Sequence, residues 1–159
     1  MIISQYEGRT NKEERQVIDA LFSFVSKKYF PRHKVHITFK FMEALEKNEG
    51  IEGDIDWEET DKEEFEDYPI STARRPRVFT IRIQKGYDFN TFLTLIAHEL
   101  VHVKQYVLGQ LSNVYVTSEY RTVFNGKDVT NVDYLKQPHE KEAFSLQEKL
   151  VNQFLKTYK

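Results

Sequence analysis

The chain contains no cysteine. Disulfides, thiol nucleophiles and a Cys-built zinc ribbon are thereby excluded, so any metal must be held by His and carboxylate side chains. It also lacks an excess of either charge. There are 23 Lys and Arg against 25 Asp and Glu, a formal net charge of −2. No global basic field is present to gather nucleic acid, and a nucleic-acid partner is not expected. No apolar run approaches the length of a membrane span, and the first residues lack the basic-then-apolar pattern of a signal peptide. The expectation is a cytoplasmic protein without membrane contact. What is present, 40% hydrophobic and 14% aromatic residues over 159 positions, suffices for one domain around one core.

One short stretch organises the rest. His98-Glu99-Leu100-Val101-His102 has the form H-E-x-x-H, and the apolar run Phe92 to Ala97 before it predicts a helix. Residues four apart on a helix lie one above the other, so two imidazoles can offer nitrogens to one metal ion. Glu99 then lies round the cylinder, near the metal but free to hold a water. Asp88 or Asn90 can cap the start, and Gly109 supplies a stop after Leu108. Chance places such a motif in roughly one or two chains in a hundred of this composition. The competing reading is two ordinary histidines on a buried helix.

Two histidines need a third ligand, since a zinc hydrolase site takes three protein ligands and leaves one position open for water. Pro138 opens a final helix to about Tyr158, with Ala143, Phe144, Gln147, Leu150, Val151, Phe154, Leu155 and Tyr158 in one stripe. Candidates at its start are His139, Glu140 and Glu142. Extending the stripe backwards by three and four residues reaches Glu140, a core-facing carboxylate whose unpaired charge would be costly. Glu142 falls about two hundred degrees away, toward Lys149 and solvent, and His139 lies at the extreme start. Without a metal, Glu140 would simply be an acidic first-turn residue favoured by the helix dipole.

The remaining elements read as scaffold. Thr10 or Asn11 caps a helix to residue 29, whose apolar face is Val17, Ile18, Leu21, Phe22, Phe24 and Val25, and Pro31 ends it. His33 to Phe39 alternates as a strand. His33 and His36 then point to opposite faces, so a hydrogen-bonded or exposed role is expected rather than shared ligation. Residues 43–68 predict a solvated loop with an acidic run, Glu58, Glu59, Asp61, Glu63, Glu64, Glu66 and Asp67, around Trp57 on a short strand. Alternatives for this run are a lid that repels acidic substrates, or a calcium loop. Asp54 and Asp56 lack the Gly and terminal Glu that an EF-hand requires. Arg74, Arg75 and Arg77 form a basic patch suited to pair with that acidic run. Val78 to Gln84 is a strand, either interior or at the sheet edge where an extended peptide could add. Val114–Val116 and Tyr120–Phe124 with the Asn125-Gly126 turn predict a hairpin or an extended excursion. Tyr115, Tyr120 and Tyr134 are either packed side chains or donors to a developing oxyanion.

The H-E-x-x-H helix, a gap of about forty residues and then Pro138-His139-Glu140-Lys141-Glu142-Ala143 resemble small zincin-fold metallopeptidases. In those proteins a second helix carries E-x-x-A or E-x-E-A, and its first Glu is the third ligand in the gluzincin manner. His98 to Gln105, Phe124 to Gly126 and Pro138 to Gln147 are similar to SprT-like and phage-encoded minimal metallopeptidases, over about residues 78 to 150. The Cys-rich ribbon and basic DNA-binding segment of SprT proper are absent. The resemblance implies an α+β, zincin-like fold. It would have an N-terminal scaffold helix, a small mixed or antiparallel sheet, the H-E-x-x-H helix, and a C-terminal helix carrying the third ligand. It further implies one zinc ion on His98, His102 and Glu140, with Glu99 as general base and a protein or peptide as substrate. The location would be cytoplasmic, the host cytoplasm for a phage-encoded chain. The alternative function is a catalytically silent, zinc-stabilised binding or assembly protein.

Overall fold

The structure is a computed structural model that describes residues 1–58, 75–116 and 119–158. It is a mixed α+β arrangement. Strand β1 (Ile2–Glu7) leads through helix α1 (Lys12–Tyr29) to β2 (Val35–Met42), followed by a short helix α2 (Leu45–Glu49) and β3 (Gly53–Glu58). Strand β4 (Val78–Gln84) precedes helix α3 (Phe89–Val107). Strands β5 (Leu111–Val116), β6 (Glu119–Phe124) and β7 (Lys127–Asp128) lead to helix α4 (Pro138–Thr157). No helix among the described residues is long and apolar enough to cross a membrane.

The helix ends follow from local chemistry. Asn11 accepts from the Glu14 amide at 2.8 Å, while the Glu14 carboxylate accepts from the Asn11 amide at 3.2 Å. This reciprocal capping box satisfies two of the donors a helix start leaves unpaired. Asp88 caps α3 by accepting from the Thr91 amide at 2.7 Å. Pro138 occupies the first turn of α4, where its missing N–H costs nothing.

Four strands form one sheet in the order β1-β2-β4-β3, with β3 antiparallel and the rest parallel. A parallel β1–β2 pair requires a crossover, which α1 provides. Along β2 and β4, Val35, Ile37, Phe39, Phe41, Phe79, Ile81 and Ile83 alternate inward and are buried. Phe22 of α1 meets Phe39, and Phe92 of α3 meets Phe41, so both helices cover the same sheet face. Helix α4 packs along α3 and also meets α1, where Phe24 lies 5.9 Å from Phe154. A separate three-stranded antiparallel sheet, β5-β6-β7, follows α3. Its β6–β7 turn is Asn125-Gly126, both at positive φ, as a two-residue hairpin of this twist demands.

Several expectations change. Strand β4 is interior, and the sheet edge beside α3 is β3. Residues 43–58 are not loop but α2 and β3, with Trp57 on the strand as anticipated. Asp54 and Asp56 lie on one strand face rather than in a calcium loop. Asp54 pairs with Arg82 on β4, which also bonds Glu49 at 2.8 Å, and Asp56 accepts from the Trp57 amide at 2.9 Å. The positions Glu59, Asp61, Glu63, Glu64, Glu66, Asp67 and Arg74 lie outside the described residues. Among the described residues, Arg77 donates to the carbonyls of Pro76 at 2.8 Å and Val107 at 3.4 Å. His33 precedes β2 instead of opening it. His33 and His36 are both partly exposed, with His33 Nδ1 and His36 Nε2 buried and without a hydrogen-bond partner among the described residues.

Candidate metal centre

Helix α3 is buried without a break from Ile96 to Val107. A helix enclosed on all sides is ordinarily apolar throughout, yet this stretch contains His98, Glu99, His102, Lys104 and Gln105. Buried polar groups need partners, and the partners define the site. His98 Nδ1 donates to Gln147 Oε1 at 2.8 Å, and His102 Nδ1 donates to Gln105 Oε1 at 2.7 Å. The opposite ring nitrogens converge on one carboxylate. His98 Nε2 lies 3.1 Å from Glu140 Oε2, and His102 Nε2 lies 2.9 Å from Glu140 Oε1. The two imidazoles are 5.0 Å apart and nearly perpendicular, as i and i+4 positions on one helix face allow.

His98, His102 and Glu140 are all buried, and one ligand atom from each lies within 4.8 Å of the others. They lie close enough to bind a metal ion. The donor set fits such an ion on its own chemistry. Each histidine has one nitrogen engaged by an amide oxygen and the other turned to a common point, the arrangement by which outer partners orient metal-binding imidazoles.

The electrostatics follow from crowding these groups away from water. Burial raises the Glu140 pKa, but hydrogen bonds from His102 and His98 and their positive charge override it, holding the carboxylate far below its usual range. Burial pulls His102 down, while its bond to Glu140 and the charges of Glu99 and Glu140 push harder, so its pKa is raised. Glu99 is dominated by burial, which the adjacent histidines only partly offset, and its pKa rises from 4.5 to about 7.

A cavity of about 470 Å³ opens beside this cluster, walled by Glu99, His98, Leu95, Phe144, Tyr134 and the turn into β3 around Gly53. Phe144, expected in the core stripe of α4, is 44% exposed and lies 4.7 Å from the His98 ring, at the cavity wall. Gly53 sits where a Cβ would lie 3.1 Å from the Arg82 carbonyl oxygen and 3.4 Å from Glu99 Oε1. The edge strand and the acidic side chain approach closely because that residue has no side chain. The Tyr134 hydroxyl is raised in pKa by burial, by the charge of Glu140 and by a hydrogen bond to it.

The structure thus brings together His98, Glu99, His102, Glu140 and Tyr134. Glu142 does not point to solvent. It accepts from Lys104 at 2.7 Å and from Gln105 at 3.1 Å. His139 packs its ring against His102 and Phe124, and burial lowers its pKa. Tyr120 is half-exposed on β6, in backbone register with Tyr115 on β5, and is not among the residues that wall the cavity. Gln105, Gln147 and Gly53 are parts of the site that sequence reasoning did not single out. The signal for Gln147 was present, since it is the polar member of an otherwise apolar stripe.

No family model, curated protein or solved structure matches the chain.

Proposed function

We propose that the chain is a zinc-dependent peptidase of zincin-like fold, with His98, His102 and Glu140 holding one zinc ion and Glu99 acting as general base. The observation that carries this reading is Glu99 itself. A metal held only for stability needs the two histidines and Glu140 but has no use for a further buried carboxylate on a cavity wall. Two imidazoles and one carboxylate suit zinc, whereas magnesium and calcium favour all-oxygen sets. A bound zinc ion supplies Lewis acidity, enough to bring a coordinated water's pKa from about 15.7 to near 7.

The chain's own residues do the rest. Glu99 accepts a proton from the attacking water and returns it to the leaving amine, a task suited to a carboxyl that burial has moved to about 7. Tyr134, kept protonated by its surroundings, donates a hydrogen bond to the substrate carbonyl oxygen as that oxygen gains charge. Among the described residues strand β3 ends the sheet next to the cavity, so an extended peptide can pair along it and present a bond to Glu99. Protein or peptide is therefore the substrate class.

Glu99→Gln tests the assignment. The purified variant is expected to retain one zinc per chain while hydrolysis of casein or a fluorogenic peptide falls about a hundred- to ten-thousandfold, the range lost when a general base is removed. Hydrolysis that persists in the variant removes Glu99 from the mechanism. Stoichiometric zinc in wild-type protein without any turnover favours the alternative, a zinc-stabilised binding or assembly protein.

A further inference from the structure

The two histidines are restrained unequally. Gln147, which holds His98, is a half-buried residue on the cavity wall. Gln105, which holds His102, is completely buried, and its amide nitrogen is also engaged. It donates to the His139 carbonyl at 3.0 Å and to Glu142 Oε1 at 3.1 Å. Turning this amide over would set its oxygen against two other oxygens. The Gln105 oxygen must therefore face His102, and an oxygen there can only accept, so His102 Nδ1 must carry a proton.

The same Glu142 oxygen accepts from Lys104 Nζ at 2.7 Å. Lys104 is buried on α3, its ammonium 5.4 Å from the centre of the Tyr29 ring. A continuous line of donors and acceptors thus runs from ammonium to carboxylate to amide to imidazole. A buried ion pair contributes little net stability beyond what an apolar pair of the same shape would give. Its consequence here is the fixed orientation of the amide it holds.

We propose that Lys104, Glu142 and Gln105 form a positioning relay that locks His102 with Nδ1 protonated and Nε2 presented to the metal. None of the three touches the ion. The inference rests on the metal-binding reading of His98, His102 and Glu140. Outer partners of metal-binding histidines change affinity about 10- to 100-fold when removed, and the relay accounts for an effect of that size at a distance.

The test uses Gln105→Met, which keeps the side chain's length, and the double variant Lys104→Met/Glu142→Leu, which replaces the ion pair by apolar groups. Zinc dissociation constants are measured by chelator competition, and the imidazole tautomers by proton–nitrogen correlation spectra. The zinc dissociation constant is expected to rise about 10- to 100-fold in Gln105→Met. A rise of about 3- to 30-fold is expected in the double variant, which also carries the test if Gln105→Met does not fold. In both, the His102 signals of the zinc-loaded protein change from a single Nδ1-protonated form to a mixture. Glu14→Gln, which breaks the Lys85–Glu14 pair far from the site, should lower stability while leaving zinc affinity unchanged. Wild-type and variant proteins that bind zinc equally tightly, with His102 Nδ1 protonated in all, overturn the relay alone. Wild-type protein that binds no zinc overturns the metal reading and the relay with it.

Discussion

Glu99 is the residue whose environment is most at odds with its chemistry. Its carboxyl is buried, and its pKa rises from 4.5 to about 7. A carboxyl whose folded pKa exceeds its unfolded value favours the folded state below the unfolded pKa, and that contribution is lost as pH rises through the folded pKa. Metal-free protein should therefore lose stability between about pH 4.5 and about pH 7 on account of this residue. Glu99→Gln cannot ionise. The metal-free variant is expected to match wild type below about pH 4.5 and to exceed it by up to about 3 kcal/mol above about pH 7. Denaturant melts of both proteins across this range check it, and a constant difference at every pH would show that Glu99 is not titrating there.

The same scale shows what could be seen in advance. His98, Glu99 and His102 lie within one helical repeat, so their geometry is a local property and is legible from spacing. Glu140 required a second step, the comparison of helix faces, and that step succeeds because α4 is regular from its first turn. The face argument failed for Glu142, which is drawn inward by Lys104, a partner 38 residues earlier in the chain. Gln105 and Gln147 were hidden for the same reason. An amide on a helix announces nothing until the imidazole it faces is known.

At the level of elements, periodicity revealed α1, α3, α4, β2 and β4, whose apolar residues recur without interruption. It missed β1, where Ser4 stands among the inward positions and the strand exists through its parallel pairing with β2. It placed a short strand at Trp57 but not the full extent of β3, Gly53–Glu58, whose start was read as loop. Strand β3 nevertheless sets one wall of the site. Gly53 lets it close on Glu99, and a methyl group at that position would meet the Arg82 carbonyl oxygen at 3.1 Å and the Ile83 side chain at 3.2 Å. The carbonyl belongs to the β3–β4 ladder and cannot yield without loosening it. Gly53→Ala is expected to cost about 1 to 3 kcal/mol and, on the proposed function, to lower peptidase turnover with zinc content unchanged. Metal analysis beside a turnover assay separates this from loss of a ligand, and full turnover in the variant would mean that strand and Glu99 tolerate the added methyl.

Over the whole molecule, the site joins two helices that are otherwise far apart in sequence. Helix α3 is fixed against the sheet through Phe92, and α4 packs on α3 with Ala143, Leu150, Val151 and Phe154. The three residues close enough to bind an ion come two from the first helix and one from the second, so an ion bound there would cross-link them. The Glu140 carboxylate lies between the two imidazoles and itself links the helices, and the pKa of His102 is raised. A zinc ion that binds only the folded chain stabilises it by mass action, about 4 kcal/mol when free zinc stands a thousandfold above the dissociation constant. For a chain of this size such a change moves the melting temperature by roughly 8 to 16 °C. Chelation should therefore lower the melting temperature by about that amount, and added zinc should restore it. His102→Ala should melt at the same temperature with and without zinc, because two ligands on separate helices hold the ion far less tightly. A His102→Ala protein that still gains several degrees on zinc addition would place the stabilising ion elsewhere in the molecule.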